Sequence, residues 1–121
     1  MKTCLLALLV GTALLTGCTK AAAHHASEGH SSETSAPNLM FQYGCPTCHV
    51  IPNVPGAVGK IGPSLESLNQ RSYLAGTLPN TPENLQLWIM HPQQVRPGTA
   101  MPDMGVTELD AGRIAAFIDT N

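Results

Sequence analysis

The sequence predicts an all-α domain of about three to four helices, joined by loops rich in glycine and proline. Two segments, which open at Thr81 and Thr107, repeat apolar side chains at the three- and four-residue spacing of a helix. No stretch shows the sustained alternation of apolar and polar residues that indicates a half-buried strand. Glycine and proline concentrate in residues 52–63 and 92–105, which are therefore predicted to be loops.

The first helix is expected at residues 38–44, where it leads directly into a pair of cysteines, and a shorter helix is possible at residues 64–69. The second helix opens with Thr81 as a favourable N-cap and Pro82 as its first helical residue. Pro92 is expected to end it. Its predicted buried face has the i, i+3, i+4 spacing of one helix side and consists of Leu85, Trp88 and Ile89.

The third predicted helix opens at Thr107. The acidic residues Glu108 and Asp110 fall in its first turn, where the helix dipole favours negative charge. Its predicted buried stripe consists of Leu109, Ile114, Phe117 and Ile118.

The amino-terminal segment is predicted to be removed from the mature protein. Residues 1–17 carry Lys2 ahead of an apolar run at residues 5–15, which is short for a membrane span of about 20 residues. The segment closes on Leu-Thr-Gly followed by Cys18, which resembles the lipobox of bacterial lipoproteins. We therefore expect a lipoprotein signal peptide at 1–17 and lipidation of Cys18; the alternative is an ordinary secretion signal with a chance cysteine.

Residues 18–37 are expected to form a flexible linker, because they contain almost no large apolar side chains that could form a core. The linker histidines could bind a metal ion, or could simply be solvated; they are His24, His25 and His30. The folded domain is then residues 38–121, a size at which a core of side chains alone is marginal. A net charge of −2 gives no indication of nucleic-acid binding.

The most informative motif is Cys-Pro-Thr-Cys-His at residues 45–49. A thioredoxin-like redox site would need a preceding strand, and a zinc site would need a second pair of ligands. Neither is evident, because a predicted helix precedes the motif and the predicted domain has no other cysteine. A single covalent haem c needs only what is present: Cys45 and Cys48 add to its vinyl groups, and His49 becomes an axial iron ligand.

The second axial position has several candidates. Met101 lies in a stiff loop, with Pro97 and Gly98 before it and Pro102 after it, and is the favoured iron ligand. The alternatives are Met90, His91, Met104 or an open coordination site. A thioether ligand would raise the reduction potential.

The stretches CPTCHVIP, GKIGPSL and LPNTPENLQLWIMHPQQVRPGTAMP resemble class I (monohaem) c-type cytochromes, most closely the cytochrome c domain fused to subunit II of some haem-copper oxidases. The resemblance implies the cytochrome c fold, wrapped around one haem, with His49 as the proximal and Met101 as the distal ligand. It implies that the Pro63 carbonyl binds the second ring nitrogen of His49. Arg71 and Trp88 would lie near the haem propionates; the alternative is a surface arginine and a core tryptophan.

The expected function is one-electron transfer in a respiratory-type chain, by a carrier that is not itself an enzyme. The sequence has no counterpart of a copper-binding portion or a membrane hairpin, so we expect a free-standing lipoprotein of the bacterial cell envelope, facing the periplasm or the exterior. Its expected partners are an oxidase or reductase and the membrane. The alternatives are a haem-based sensor or peroxidase with a labile Met101, and a fixed electron-entry subunit of a larger oxidoreductase.

Overall fold

The computed structural model describes residues 35–121. The predicted signal peptide, Cys18 and the linker up to residue 34 lie outside the described residues, as do the linker histidines His24, His25 and His30. No helix in the described part combines the length and the apolar character that crossing a membrane requires.

The described residues form five helices, one 3₁₀ turn and a two-stranded antiparallel sheet. In chain order these are α1 (Ala36–Gln42), α2 (Cys45–Cys48), the 3₁₀ turn (Leu68–Gln70), β1 (Tyr73–Leu74), β2 (Leu78–Pro79), α3 (Pro82–Met90), α4 (Pro92–Val95) and α5 (Glu108–Asp119). The helices outnumber the expected three to four because α2 and α4 are single turns of four residues each.

The first helix has the same length as the predicted helix at 38–44 but lies two residues earlier. α1 begins at Ala36, two residues inside the expected linker, and ends at Gln42. Gly44 then adopts a φ of +75°, a left-handed conformation that glycine tolerates without steric cost. This residue separates α1 from α2, so the cysteine pair sits on a helical turn of its own.

α3 agrees with its predicted boundaries. The Thr81 side-chain oxygen accepts a hydrogen bond from the Asn84 backbone N–H at 3.2 Å, which confirms the N-cap. The helix ends at Met90, ahead of Pro92. Pro92 also opens α4, because proline is tolerated in the first turn, where its missing N–H has no helical partner.

α5 confirms the predicted start at Thr107, which is its N-cap, but corrects the buried stripe. The Thr107 hydroxyl accepts from the Asp110 backbone N–H at 3.2 Å. Leu109 is 65% exposed, so its prediction as a core residue was wrong. The helix instead buries one face at i, i+3, i+4 and i+7, consisting of Ala111, Ile114, Ala115 and Ile118, with Phe117 partly buried beside it.

The core lies where α1, α3 and α5 meet. It contains only apolar side chains among the described residues, including Leu39, Met40, Leu85, Ile89, Ile114 and Ile118. The small sheet, in which Leu74 pairs with Leu78, contacts α3 from one side. Its strands are two residues long, too short for the sequence to show alternation.

A hydrogen bond between distant residues joins the end of α1 to the first turn of α5. The Tyr43 hydroxyl, at the end of α1, donates to Asp110 Oδ2 at 2.8 Å in the first turn of α5. Asp110 also accepts from the Thr107 hydroxyl at 2.9 Å and lies 3.5 Å from an Arg113 nitrogen. These groups, Tyr43 first, hold the pKa of Asp110 below its usual value.

We predict that Tyr43→Phe makes folding stability less dependent on acidity. A lowered pKa means that Asp110 stabilises the fold above its ordinary pKa of about 3.9, and that this contribution is lost as the pH falls through the folded-state pKa. Urea unfolding should therefore show the variant to be less stable than wild type at pH 6, with the difference shrinking at pH 3. Tyr73→Phe, which alters an exposed tyrosine, serves as the control. An unchanged pH dependence in Tyr43→Phe would contradict this assignment.

Candidate functional site

One cavity of about 430 Å³ gathers the residues that the sequence singled out. Such a volume lies within the range of about 300–1,000 Å³ typical of ligand pockets. Its walls are mostly apolar and come from α1, α2, α3, α5, the sheet and two loops. Among the lining residues are all the predicted site residues of the domain: Cys45, Cys48, His49, Pro63, Arg71, Trp88 and Met101.

Both cysteines of the motif face this cavity from α2. Cys45 and Cys48 are the first and last residues of the turn, and a three-residue separation puts two side chains on the same side of a helix. The structure does not join the two by a disulfide. The pKa of the Cys45 thiol is raised above its usual value, mainly by burial, with a backbone hydrogen bond partly opposing the shift and Cys48 adding to it. The motif follows helix α1, so it lacks the preceding strand of a thioredoxin-like site.

His49 follows directly, in extended backbone conformation, and its ring is fixed on one side. Its Nδ1 lies 2.7 Å from the carbonyl oxygen of Pro63. Because a carbonyl can only accept, Nδ1 must carry the hydrogen, and the neutral ring keeps its lone pair on Nε2. Nε2 is therefore the nitrogen available to a metal.

Two glycines allow the loop after His49 to close tightly around the motif. A Cβ added to Gly62 would lie 2.7 Å from His49 Nδ1, and one added to Gly59 would lie 2.6 Å from the Thr47 carbonyl oxygen. Backbone hydrogen bonds hold both positions: Gly62 N donates to the Cys48 oxygen at 2.7 Å, and Gly59 N to the His49 oxygen at 3.2 Å. The resemblance to c-type cytochromes implied that this loop supports His49 through Pro63. It did not indicate that these two positions require glycine.

The methionine loop, residues 96–106 between α4 and α5, forms another part of the cavity wall. Met101 is partly buried and lines the cavity together with Thr99, Ala100 and Pro102. Met104 also lines it, although its side chain is 38% exposed. Met90 and His91, which the sequence left as alternatives, do not line this cavity.

Arg71 and Trp88 lie on the cavity, but with different surroundings. One Arg71 nitrogen, Nη2, donates to the Ser64 carbonyl at 2.7 Å and so braces the loop that carries Pro63. Trp88 is partly buried on α3, between the core residues Leu85 and Ile89 in sequence.

The donor set and the apolar lining of the cavity fit a covalently attached haem. Two thiols lie on one helical turn, an imidazole nitrogen is free beside them, and thioether side chains lie in the same lining. Imidazole and thioether are the axial ligands of cytochromes c, and apolar walls suit a macrocycle. Within residues 35–121 no group of three or more His, Cys, Asp or Glu side chains comes together to hold a metal ion directly.

Sequence reasoning missed Gln93. Its side chain, on α4, hydrogen-bonds to the backbone of the methionine loop at Thr99 and Met101. No pattern in the sequence distinguishes it from the neighbouring Gln94.

We predict that Gly62→Ala destabilises the protein by about 1–3 kcal/mol, the usual cost of adding atoms to a packed site. The new methyl group would press against the His49 ring. Urea unfolding followed by circular dichroism measures the change. Gly112→Ala is the matched control, because a Cβ there meets only the Gln86 side chain at 3.7 Å or more. That helical substitution should instead stabilise by about 0.5–1 kcal/mol, and equal effects of the two variants would contradict the packing argument.

The chain is similar to part of a cytochrome c oxidase subunit 2 from Alkalihalophilus pseudofirmus, with 31% identity over 97 residues. The similarity covers 69% of this chain and 27% of that protein, so the chain spans only a minor part of its relative. No family model matches the chain, and no solved structure matches it significantly. The chain is thus related in sequence to a section of an oxidase subunit.

Proposed function

We propose that this chain is a c-type cytochrome that transfers single electrons in a respiratory-type chain. Cys45 and Cys48 would hold one haem c covalently, with His49 and Met101 as its axial ligands. The observation that carries the proposal is the meeting of these four side chains in a single apolar cavity. When bound, haem would supply an iron that changes between its ferric and ferrous states without forming a bond to a substrate.

The residues around His49 would keep the proximal ligand in one orientation. The Pro63 carbonyl fixes the ring through Nδ1, and Gly62 lets the loop backbone pack against the ring face. A ligand that is already oriented need not move when the charge of the site changes. Such rigidity favours rapid electron transfer, since little of the protein has to reorganise.

Met101 would complete the site from the opposite loop. Its thioether would favour the reduced state and raise the reduction potential. Arg71 and Trp88 are proposed to lie near the haem propionates. Arg71 has N–H donors beyond the one that binds the Ser64 carbonyl. It would therefore hold the loop and bind an anionic propionate at the same time.

The similarity to an oxidase subunit supports a role as the electron-entry component of a larger oxidoreductase, ahead of a freely diffusing carrier. We propose a bacterial envelope location, with a lipid on Cys18 tethering the domain at the membrane. Purification from detergent-solubilised membranes separates the two roles: a fixed component remains with oxidase subunits, whereas a mobile carrier is released.

A ligand sensor or peroxidase would need an accessible iron. The location of Met101, partly buried in the cavity lining, supports a closed site instead.

We predict that Met101→Ala opens the iron to carbon monoxide. It should also lower the reduction potential by at least about 59 mV, a tenfold change in the equilibrium constant of a one-electron couple. Optical titration with carbon monoxide and redox potentiometry measure the two effects. Met104→Ala is the control, since Met104 lines the same cavity but is more exposed. Rapid binding of carbon monoxide by the wild type, to the same extent as by Met101→Ala, would contradict the electron-transfer proposal.

A further inference from the structure

The methionine loop has few interactions of its own. Pro97 and Gly98 form a turn closed by the Thr99 N–H, which donates to the Arg96 carbonyl at 3.1 Å. In the described part of the chain, residues 100–106 take part in no hydrogen bond between two backbone groups. Something other than backbone pairing must therefore hold Met101 at the cavity.

Gln93 supplies the missing contacts. Its Nε2 donates to the Met101 carbonyl at 2.7 Å and to the Thr99 carbonyl at 2.8 Å. Its Oε1 accepts from the Gly98 backbone N–H at 3.3 Å. The two carbonyls require the N–H side of the amide and the N–H requires its oxygen, so the partners fix the orientation of the side chain.

The helical turn that carries Gln93 is itself anchored. Pro92, its first residue, is buried, whereas the Gln93 backbone N–H donates to Asp103 Oδ1 at 3.4 Å and so adds a further hydrogen bond to the methionine loop. At the end of α4, Arg96 Nη1 donates to the Ala75 carbonyl at 2.9 Å, which ties the turn to the loop of the small sheet. The loop is thus hydrogen-bonded to a turn that buried Pro92 anchors at its start and the Arg96 side chain anchors at its end.

We propose that Gln93 is a positioning residue, which holds the loop so that Met101 is presented to the cavity. Gln93 contacts the Met101 carbonyl and not its sulfur, so it acts through the backbone. The inference rests on the proposed function for the role of the Met101 sulfur, but its structural part concerns the loop alone.

The test uses Gln93→Glu in the full-length, haem-loaded protein. Glutamate has nearly the same shape, but it lacks the two N–H donors and turns a negative charge toward two carbonyls. Gln94→Glu is the matched control, because it adds the same charge at the next, exposed residue of α4. Gln93→Leu removes the amide without adding charge, and serves if the glutamate variant fails to fold.

Two readouts are expected to change together. Amide hydrogen exchange of Gly98 and Thr99, the two N–H groups of this turn that are hydrogen-bonded, should become at least about tenfold faster, the factor that corresponds to losing one hydrogen bond of ordinary net strength. The affinity for carbon monoxide should rise by at least about the same factor, because a displaced Met101 competes less well for the iron. Gln94→Glu should leave both quantities at their wild-type values.

Met101→Ala distinguishes the two possible failures. If Met101→Ala does not raise the carbon monoxide affinity, Met101 is not the ligand and the proposed function fails, whatever Gln93 does. If Met101→Ala raises it while both Gln93 variants leave either exchange or affinity unchanged, the positioning role of Gln93 is overturned.

Discussion

The hydrogen bond from His49 to the Pro63 carbonyl constrains the rest of the site. Forming it requires the chain to turn back on itself within 14 residues, close enough that Gly62 has no room for a side chain beside the ring. Leu65 N reinforces this return by donating to the Val50 oxygen at 2.9 Å. The loop between them therefore functions as a rigid support for one imidazole, and its glycines follow from that packing.

The methionine loop depends on a different kind of support. Backbone pairing stabilises the His49 loop, whereas the Met101 loop is tied to its neighbour by a glutamine side chain. The loop after His49 and the methionine loop lie far apart in sequence. The packing of α1 and α3 against α5 sets the separation of the two loops. The Tyr43–Asp110 hydrogen bond also joins α1 to α5. In the proposed cytochrome, one ligand would thus be held by a loop paired through its backbone and the other by a side chain of the preceding helical turn.

The features that the sequence predicted well are those encoded locally. Thr81 and Thr107 cap their helices because a threonine side chain needs only the N–H groups of the next turn. Contacts that depend on the path of the folded chain were less predictable. Leu109 fits an apolar pattern but lies two residues before the face that packs, and Gln93 acquires its partners only when the loop folds over α4. Gly44 was expected to be the last residue of the first helix, but it lies beyond the helix end in a left-handed conformation.

The proposed function depends above all on covalent attachment of haem to the cysteine pair, which mass spectrometry of the protein from its native membranes detects. Trypsin should release residues 21–60 as a single peptide, because no lysine or arginine lies between Lys20 and Lys60. We expect this peptide to carry the mass of one haem, and Cys45 and Cys48 both to resist alkylation. A peptide without haem, in which both thiols are alkylated, would contradict it.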